Sequence, residues 1–234
     1  MITGHRGAAA LAPENTIASI NKAAEAGVKW VEIDTQLSAD GIPVVIHDET
    51  VNRCTDGKGR IADLTLAQLK RLDAGSWFHP SYANERIPTL AEALDACLSL
   101  DLTLNIELKI HRDEQIEPLV DAVVALINEK GYPIDKLLFS SFQKRALELC
   151  QQLMPEVRRG FICEVWNDYS LSSIETCHAY SVHIDHHILT PAIARNIKSA
   201  GYILKIWTLN KAEKAQSFWD MGVDSIITDA PDKF

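Results

Sequence analysis

Residues 30–47 read WVEIDTQLSADGIPVVIH. Two β-rich apolar runs, Trp30–Gln36 and Pro43–His47, are joined only by Leu37-Ser38-Ala39-Asp40-Gly41-Ile42. A parallel crossover needs about a dozen residues or more, so the second run must fold back antiparallel on the first. Asp40-Gly41 is the dipeptide that a tight hairpin favours. Folding about Asp40 sets His47 roughly opposite Ile33, close to Glu32 and Asp34.

The hairpin decides the fold because of what surrounds it. Further β-rich runs lie at Ile2–His5, Thr103–Lys109, Leu137–Ser141, Arg159–Cys163, Ser181–Asp185, Ile203–Leu209 and Ser225–Thr228. Runs at helical spacing are Glu14–Ala26, Leu66–Leu72, Thr89–Leu98, Gln115–Glu129, Gln143–Met154, Leu171–Ala179, Pro191–Ala200 and Lys211–Met221. Gly27, Gly131, Gly201 and Gly222 follow helical runs as stops, and Thr190-Pro191 reads as an N-cap followed by proline. Strands alternating with helices imply a parallel sheet. Nine strands exceed a (β/α)8 barrel by one, and the hairpin strand accounts for the excess. The expected fold is therefore α/β: a (β/α)8 TIM barrel with a hairpin after strand 2. An open doubly wound sheet is the alternative, but no GxGxxG loop follows the first strand. Glu49–Ser81, rich in turn signals with one short helix, reads as a small inserted loop region at about 49–81 over one mouth. A length of 234 residues suits one domain spanning 1–234.

The net charge of −9, from 32 acidic and 23 basic residues, argues against a nucleic-acid surface and against stable membrane association through anionic lipid. It leaves an anionic substrate open, because a bound cation can dominate a local potential. Cys54, Cys97, Cys150, Cys163 and Cys177 form no CxxC pair and read as buried thiols. No basic-then-apolar leader opens the sequence, and no run approaches the roughly 20 apolar residues of a membrane span. A cytoplasmic location is the simplest expectation. Oligomeric state is open.

In a (β/α)8 barrel the site is built from the C-terminal strand ends. The first strand ends in His5-Arg6. The second carries Glu32 and Asp34, two apart and so on one face, and the fourth run carries Glu107 and Lys109 in the same relation. The next ends in Ser140-Ser141-Phe142, and a late strand holds Trp207. Three crowded carboxylates need a compensating cation, and oxygen ligands favour one divalent ion, Mg2+ or Ca2+. Arg6 and Lys109 suit an anionic substrate. Two histidines across a phosphate would act as general acid and base. Taken singly, each residue could be a rim ion pair; their arrival at one barrel end favours a site. Phe142 and Trp207 either line a pocket for an alcohol moiety or pack as core. In HIDHHIL, His183 alternates with core residues, and His186 and His187 read as polar loop residues.

His5-Arg6-Gly7, Pro13-Glu14-Asn15-Thr16, Glu32-Ile33-Asp34, Asp40-Gly41, His47-Asp48, Glu107-Leu108-Lys109, Trp207-Thr208-Leu209-Asn210 and Thr228-Asp229-Ala230-Pro231 occur in order. Together they resemble the glycerophosphodiester phosphodiesterase family, relatives of phosphatidylinositol-specific phospholipase C barrels. The resemblance spans nearly the whole chain. It implies hydrolysis of a small-molecule glycerophosphodiester to an alcohol and sn-glycerol 3-phosphate. By motif position it implies Glu32, Asp34 and Glu107 as metal ligands and His5 and His47 as the catalytic pair. Arg6, Asn15 and Lys109 become substrate-binding positions, with Phe142 and Trp207 as candidate pocket walls. Gly7 is expected to let the backbone approach the ligand. Alternatives are lysophospholipase D-like hydrolysis of a lipid phosphodiester, or binding without turnover. The lipid reading needs an exposed apolar rim, which the sequence does not make evident.

Overall fold

A computed structural model describes residues 1–234. All nine expected strands form: β1 (Ile2–Gly4), β2 (Trp30–Leu37), β3 (Pro43–Val45), β4 (Thr103–Leu108), β5 (Leu137–Ser141), β6 (Arg158–Cys163), β7 (Ser181–Asp185), β8 (Ile203–Trp207) and β9 (Ser225–Thr228). Eight pair in parallel around a ring that β1 closes by pairing with both β2 and β9. The ninth, β3, pairs antiparallel with β2, Thr35 opposite Val45 and Leu37 opposite Pro43. This is the (β/α)8 barrel with the expected hairpin. Its register continues past β3, because Ile46 N donates to Asp34 O at 3.0 Å. His47 is therefore carried to the level of Ile33, beside the two acidic side chains.

The helices between strands are α1 (Ile17–Glu25), α2 (Leu66–Leu69), α3 (Leu90–Ser99), α4 (Ile116–Lys130), α5 (Lys144–Leu153), α6 (Asp168–Thr176), α7 (Pro191–Ser199) and α8 (Ala215–Trp219). Three differ from the sequence reading. The first helix does not start at Glu14: Asn15 takes a left-handed φ of 57°, and Thr16 is the N-cap, accepting from Ser19 N. Asn15 is held out of the helix by Asp34, donating to Oδ2 at 2.8 Å and accepting from Asp34 N at 3.1 Å. The last helical run, Lys211–Met221, breaks into a 3-10 turn and the short α8. The helix at Leu66 also stops three residues early, at Leu69.

The main core lies between barrel and helices. A separate small cluster of Val44, Ile46, Val51, Ile61, Leu69, Ala74 and Ile87 sits beneath the inserted region. The insertion thus packs on the hairpin and reaches Ile87-Pro88, where Val45 N donates to Pro88 O at 2.8 Å. Barrel interiors usually hold bulky apolar layers; this one is partly polar. Thr3 and Ser225 hydroxyls meet at 3.0 Å, His183 Nε2 meets Ser181 Oγ at 2.9 Å, and Lys205 Nζ stacks 4.3 Å above the Trp30 ring. All five cysteines are free and buried. No helix is long and apolar enough to cross a membrane.

Candidate active site

Asp34 and Glu107 are register partners on β2 and β4, and Glu32 lies one layer deeper. All three are buried. Lys109 Nζ is 2.5 Å from Glu107 Oε1 and 3.2 Å from Asp34 Oδ1, while Arg6 Nε is 3.4 Å from Asp34 Oδ2. Burial resists ionisation of Asp34, but Lys109, Arg6 and His47 outweigh it and, with the Asn15 amide, hold its carboxyl well below the usual range. Glu32 receives less help. Burial, then the charges of Asp34 and Glu107, push its carboxyl well above the usual range, and burial also pushes Glu107 up.

That imbalance bears on the implied cation. The three carboxylates can each offer an oxygen within 4.8 Å of the others. Glu32 Oε1 is buried and has no hydrogen-bond partner. A buried carboxylate oxygen left unpaired is costly, and an all-oxygen donor set suits a hard divalent ion. The residues fit such an ion, with Glu32 as the ligand not already neutralised by Lys109.

Each histidine is anchored by its own carboxylate. His5 Nδ1 lies 2.6 Å from Asp229 Oδ1, and His5 Nε2 is 3.9 Å from Glu32 Oε2. Asn210 Nδ2 donates to Asp229 Oδ2 at 2.7 Å. His47 Nδ1 lies 2.7 Å from Asp48 Oδ1. Arg53 then ties Asp48 to Glu14, at 2.7 and 2.8 Å, and Glu14 accepts from Arg6 Nη1 at 2.6 Å. Burial lowers the His47 pKa, with Lys109 and Arg6 adding to the effect and Asp34 opposing it.

His5, Arg6, Glu32, His47, Glu107, Lys109, Phe142 and Trp207 all border one cavity of about 270 Å3, joined by Asn105, His183 and Glu164. Asp34 and Asn15 stand behind that wall. Arg6 donates to Glu14 through Nη1, while its buried Nε, 3.4 Å from Asp34 Oδ2, makes no hydrogen bond. Its φ of 50° is strained for a non-glycine residue. Two bonds to Arg6 O hold it there, from Asn15 N at 3.0 Å and Ser19 Oγ at 2.5 Å. Gly7 is also constrained by packing rather than by ligand approach: a Cβ there would lie 2.2 Å from Ser19 Oγ. Phe142 and Trp207 stay outside the core: half-buried, they pack edge-to-face with centroids 5.7 Å apart and line the cavity.

Sequence reasoning gave no role to Asp229 or Glu164. Asp229 had a signal: it directly follows the last strand and so belongs to the same barrel end. Glu164 had the same signal, since it directly follows β6. Beside it, Val165 and Tyr169 are 61% and 58% exposed. They flank an apolar groove that shares Phe142, Ile162 and Glu164 with the cavity. His183 is buried inside the barrel and lines the cavity, whereas His186 and His187 lie in the turn that follows Asp185, the last residue of β7.

Known proteins share this architecture. The model of the glycerophosphoryl diester phosphodiesterase family matches residues 5–233. A glycerophosphodiester phosphodiesterase of Caldanaerobacter subterraneus is 35% identical, with 99% of this chain and 95% of that one covered. An Oleispira antarctica phosphodiesterase, solved in complex with the product sn-glycerol-3-phosphate, is 38% identical with a TM-score of 0.95, covering 100% of this chain and 94% of that one. A glycerophosphodiester phosphodiesterase structure from Agrobacterium tumefaciens is 29% identical with a TM-score of 0.82, covering 100% and 97%.

Proposed function

The chain belongs to the glycerophosphoryl diester phosphodiesterase family, and on that footing we propose that it cleaves a glycerophosphodiester to an alcohol and sn-glycerol 3-phosphate, using His5 and His47 as the proton-transfer pair. One observation carries the reading. Two histidines, each with Nδ1 anchored by a carboxylate at 2.6 or 2.7 Å, border one cavity together with buried Glu32 and Glu107, with Asp34 behind them.

Glu32, Asp34 and Glu107 would hold a divalent cation, Mg2+ or Ca2+, which when bound supplies charge neutralisation for phosphate. Lys109 and Arg6 add fixed positive charge beside the cavity, and Asn15 orients Asp34 from behind. Burial and the neighbouring cations lower the His47 pKa, which suits it to take a proton from the attacking oxygen. His5 is left to protonate the leaving oxygen from Nε2, with Asp229 fixing its ring. Asp229 and Asp48 act through the histidines they hold.

The test is turnover of glycerophosphocholine by His5→Ala and His47→Ala, with chelator controls. Each should lose about 10²- to 10⁴-fold, the usual worth of a general acid or base. On a diester with a p-nitrophenolate leaving group, His5→Ala should recover toward wild type and His47→Ala should not. Wild-type rates in either variant would remove that residue from the mechanism.

A lysolipid substrate is a second reading, favoured by the exposed Val165 and Tyr169 beside the groove that joins the cavity. It requires lysophosphatidylcholine to outcompete glycerophosphocholine, and Val165→Asp to remove that advantage.

A further inference from the structure

We propose that Asp185, His186 and His187 form a second metal site, taking a borderline transition ion such as zinc, cobalt or nickel, on the barrel rim beside the cavity. One ligand atom from each residue lies within 4.8 Å of the others. Asp185 Oδ1 and His187 Nδ1 share a hydrogen bond of 2.8 Å, whose proton an ion taking both atoms would displace. His186 Nδ1 sits 3.2 Å from Trp207 O. That same nitrogen lies 3.7 Å from Asp185 Oδ1, so it is the ligand atom, and an ion would draw it from the carbonyl. The two imidazoles are stacked at a tilt of 39° with ring centres 3.8 Å apart, and the exposed His187 ring would turn to bring both nitrogens onto one ion. Asp185 is held in place from within the turn, accepting from His187 N at 2.8 Å.

The donor set separates this site from the first. Two imidazoles and one carboxylate suit a borderline ion and are poor for Mg2+ or Ca2+, whereas Glu32, Asp34 and Glu107 are the reverse. None of the three rim residues borders the cavity. The link to it is Trp207: its carbonyl accepts from His186 N at 3.0 Å, and its indole Nε1 donates to His183 O at 3.0 Å. An ion on His186 grips the strand that carries one cavity wall.

The experiment is Co2+ binding by the full chain in excess Mg2+, followed by equilibrium dialysis and the visible ligand-field spectrum. About one Co2+ per chain should remain bound with nitrogen-ligand absorption, three side chains supplying the site. His187→Ala should weaken binding by about tenfold or more, at least the effect of losing a supporting group, and Glu32→Gln should leave it intact. His187 is exposed, and an unchanged melting temperature will verify folding of its variant. Loss of all Co2+ to Mg2+, unaltered binding in His187→Ala, or loss in Glu32→Gln alone would each overturn the proposal.

Discussion

His5 Nδ1 and Asp229 Oδ1 meet at 2.6 Å although 224 residues separate them in sequence. The contact exists because β1 closes the barrel against β9, Gly4 opposite Thr228, which sets the two following residues side by side. Burial disfavours the Asp229 carboxylate, but its bond to His5 and the Asn210 amide outweigh this and hold it ionised. Asp229→Asn should lower kcat by about 10²-fold or more, since it removes the acceptor that sets the His5 tautomer. KM should change little. Asn210→Ala should cost less, and steady-state kinetics on both variants checks the order.

Arg53 bridges Asp48 and Glu14 on the exposed rim. The bond from Arg53 lowers the Asp48 pKa below 3.8, and Glu14 falls below 4.5 despite its burial because of Arg53 and Arg6. Folding therefore favours the ionised forms. Their stabilisation is complete above the unfolded values and is lost as pH falls through the folded ones. Arg53→Met should move the acid-unfolding midpoint to higher pH. At pH 7 it should cost only about 0.5–1 kcal/mol, because Arg53 and Asp48 are solvent-screened and Glu14 keeps its bond to Arg6. Circular dichroism during acid titration reads both.

Lys205 Nζ is buried without a hydrogen-bond partner. Burial, with the charge of Arg158 adding, lowers its pKa to about 7. Between pH 7 and 10.5 the unfolded chain binds the extra proton, so the wild type gains stability as pH rises through that window. Below pH 7 the full penalty for a buried charge applies. Lys205→Met should stabilise by about 1–4 kcal/mol at pH 6–7, the range seen when buried ionic groups yield to apolar ones of similar volume. The gain should shrink toward pH 10. Denaturant melts across that range would show the convergence, and a pH-independent difference would contradict it.

Chelation should abolish glycerophosphodiester turnover, and Mg2+ or Ca2+ should restore it. Because Glu32 binds its proton more tightly than an ordinary glutamate, protons compete with the cation as pH falls. The half-activating Mg2+ concentration should be higher at pH 6 than at pH 8. Glu32→Gln should raise it at both. Activity titrations with each metal at both pH values provide the measurement.

The strand–helix rhythm, the hairpin at Asp40-Gly41 and the glycine stops were legible in the amino-acid sequence because each is a local property. Gly27, Gly131, Gly201 and Gly222 all adopt the positive φ that a helix stop demands. The hairpin register carried His47 to the level of Ile33 without further information. The convergence of Glu32, Asp34, Glu107, Lys109, His5 and His47 followed from one topological rule about strand ends. What ring closure and long-range pairing decided was invisible locally. Asn15 leaves the helix because Asp34, nineteen residues away, binds both ends of its amide. Arg6 is turned toward Glu14 and Asp34, and Asp229 becomes the partner of His5 only when the ends of the barrel meet. Sequence period determines which face a residue takes; which opposite charge it finds there is decided by how the eight strands close.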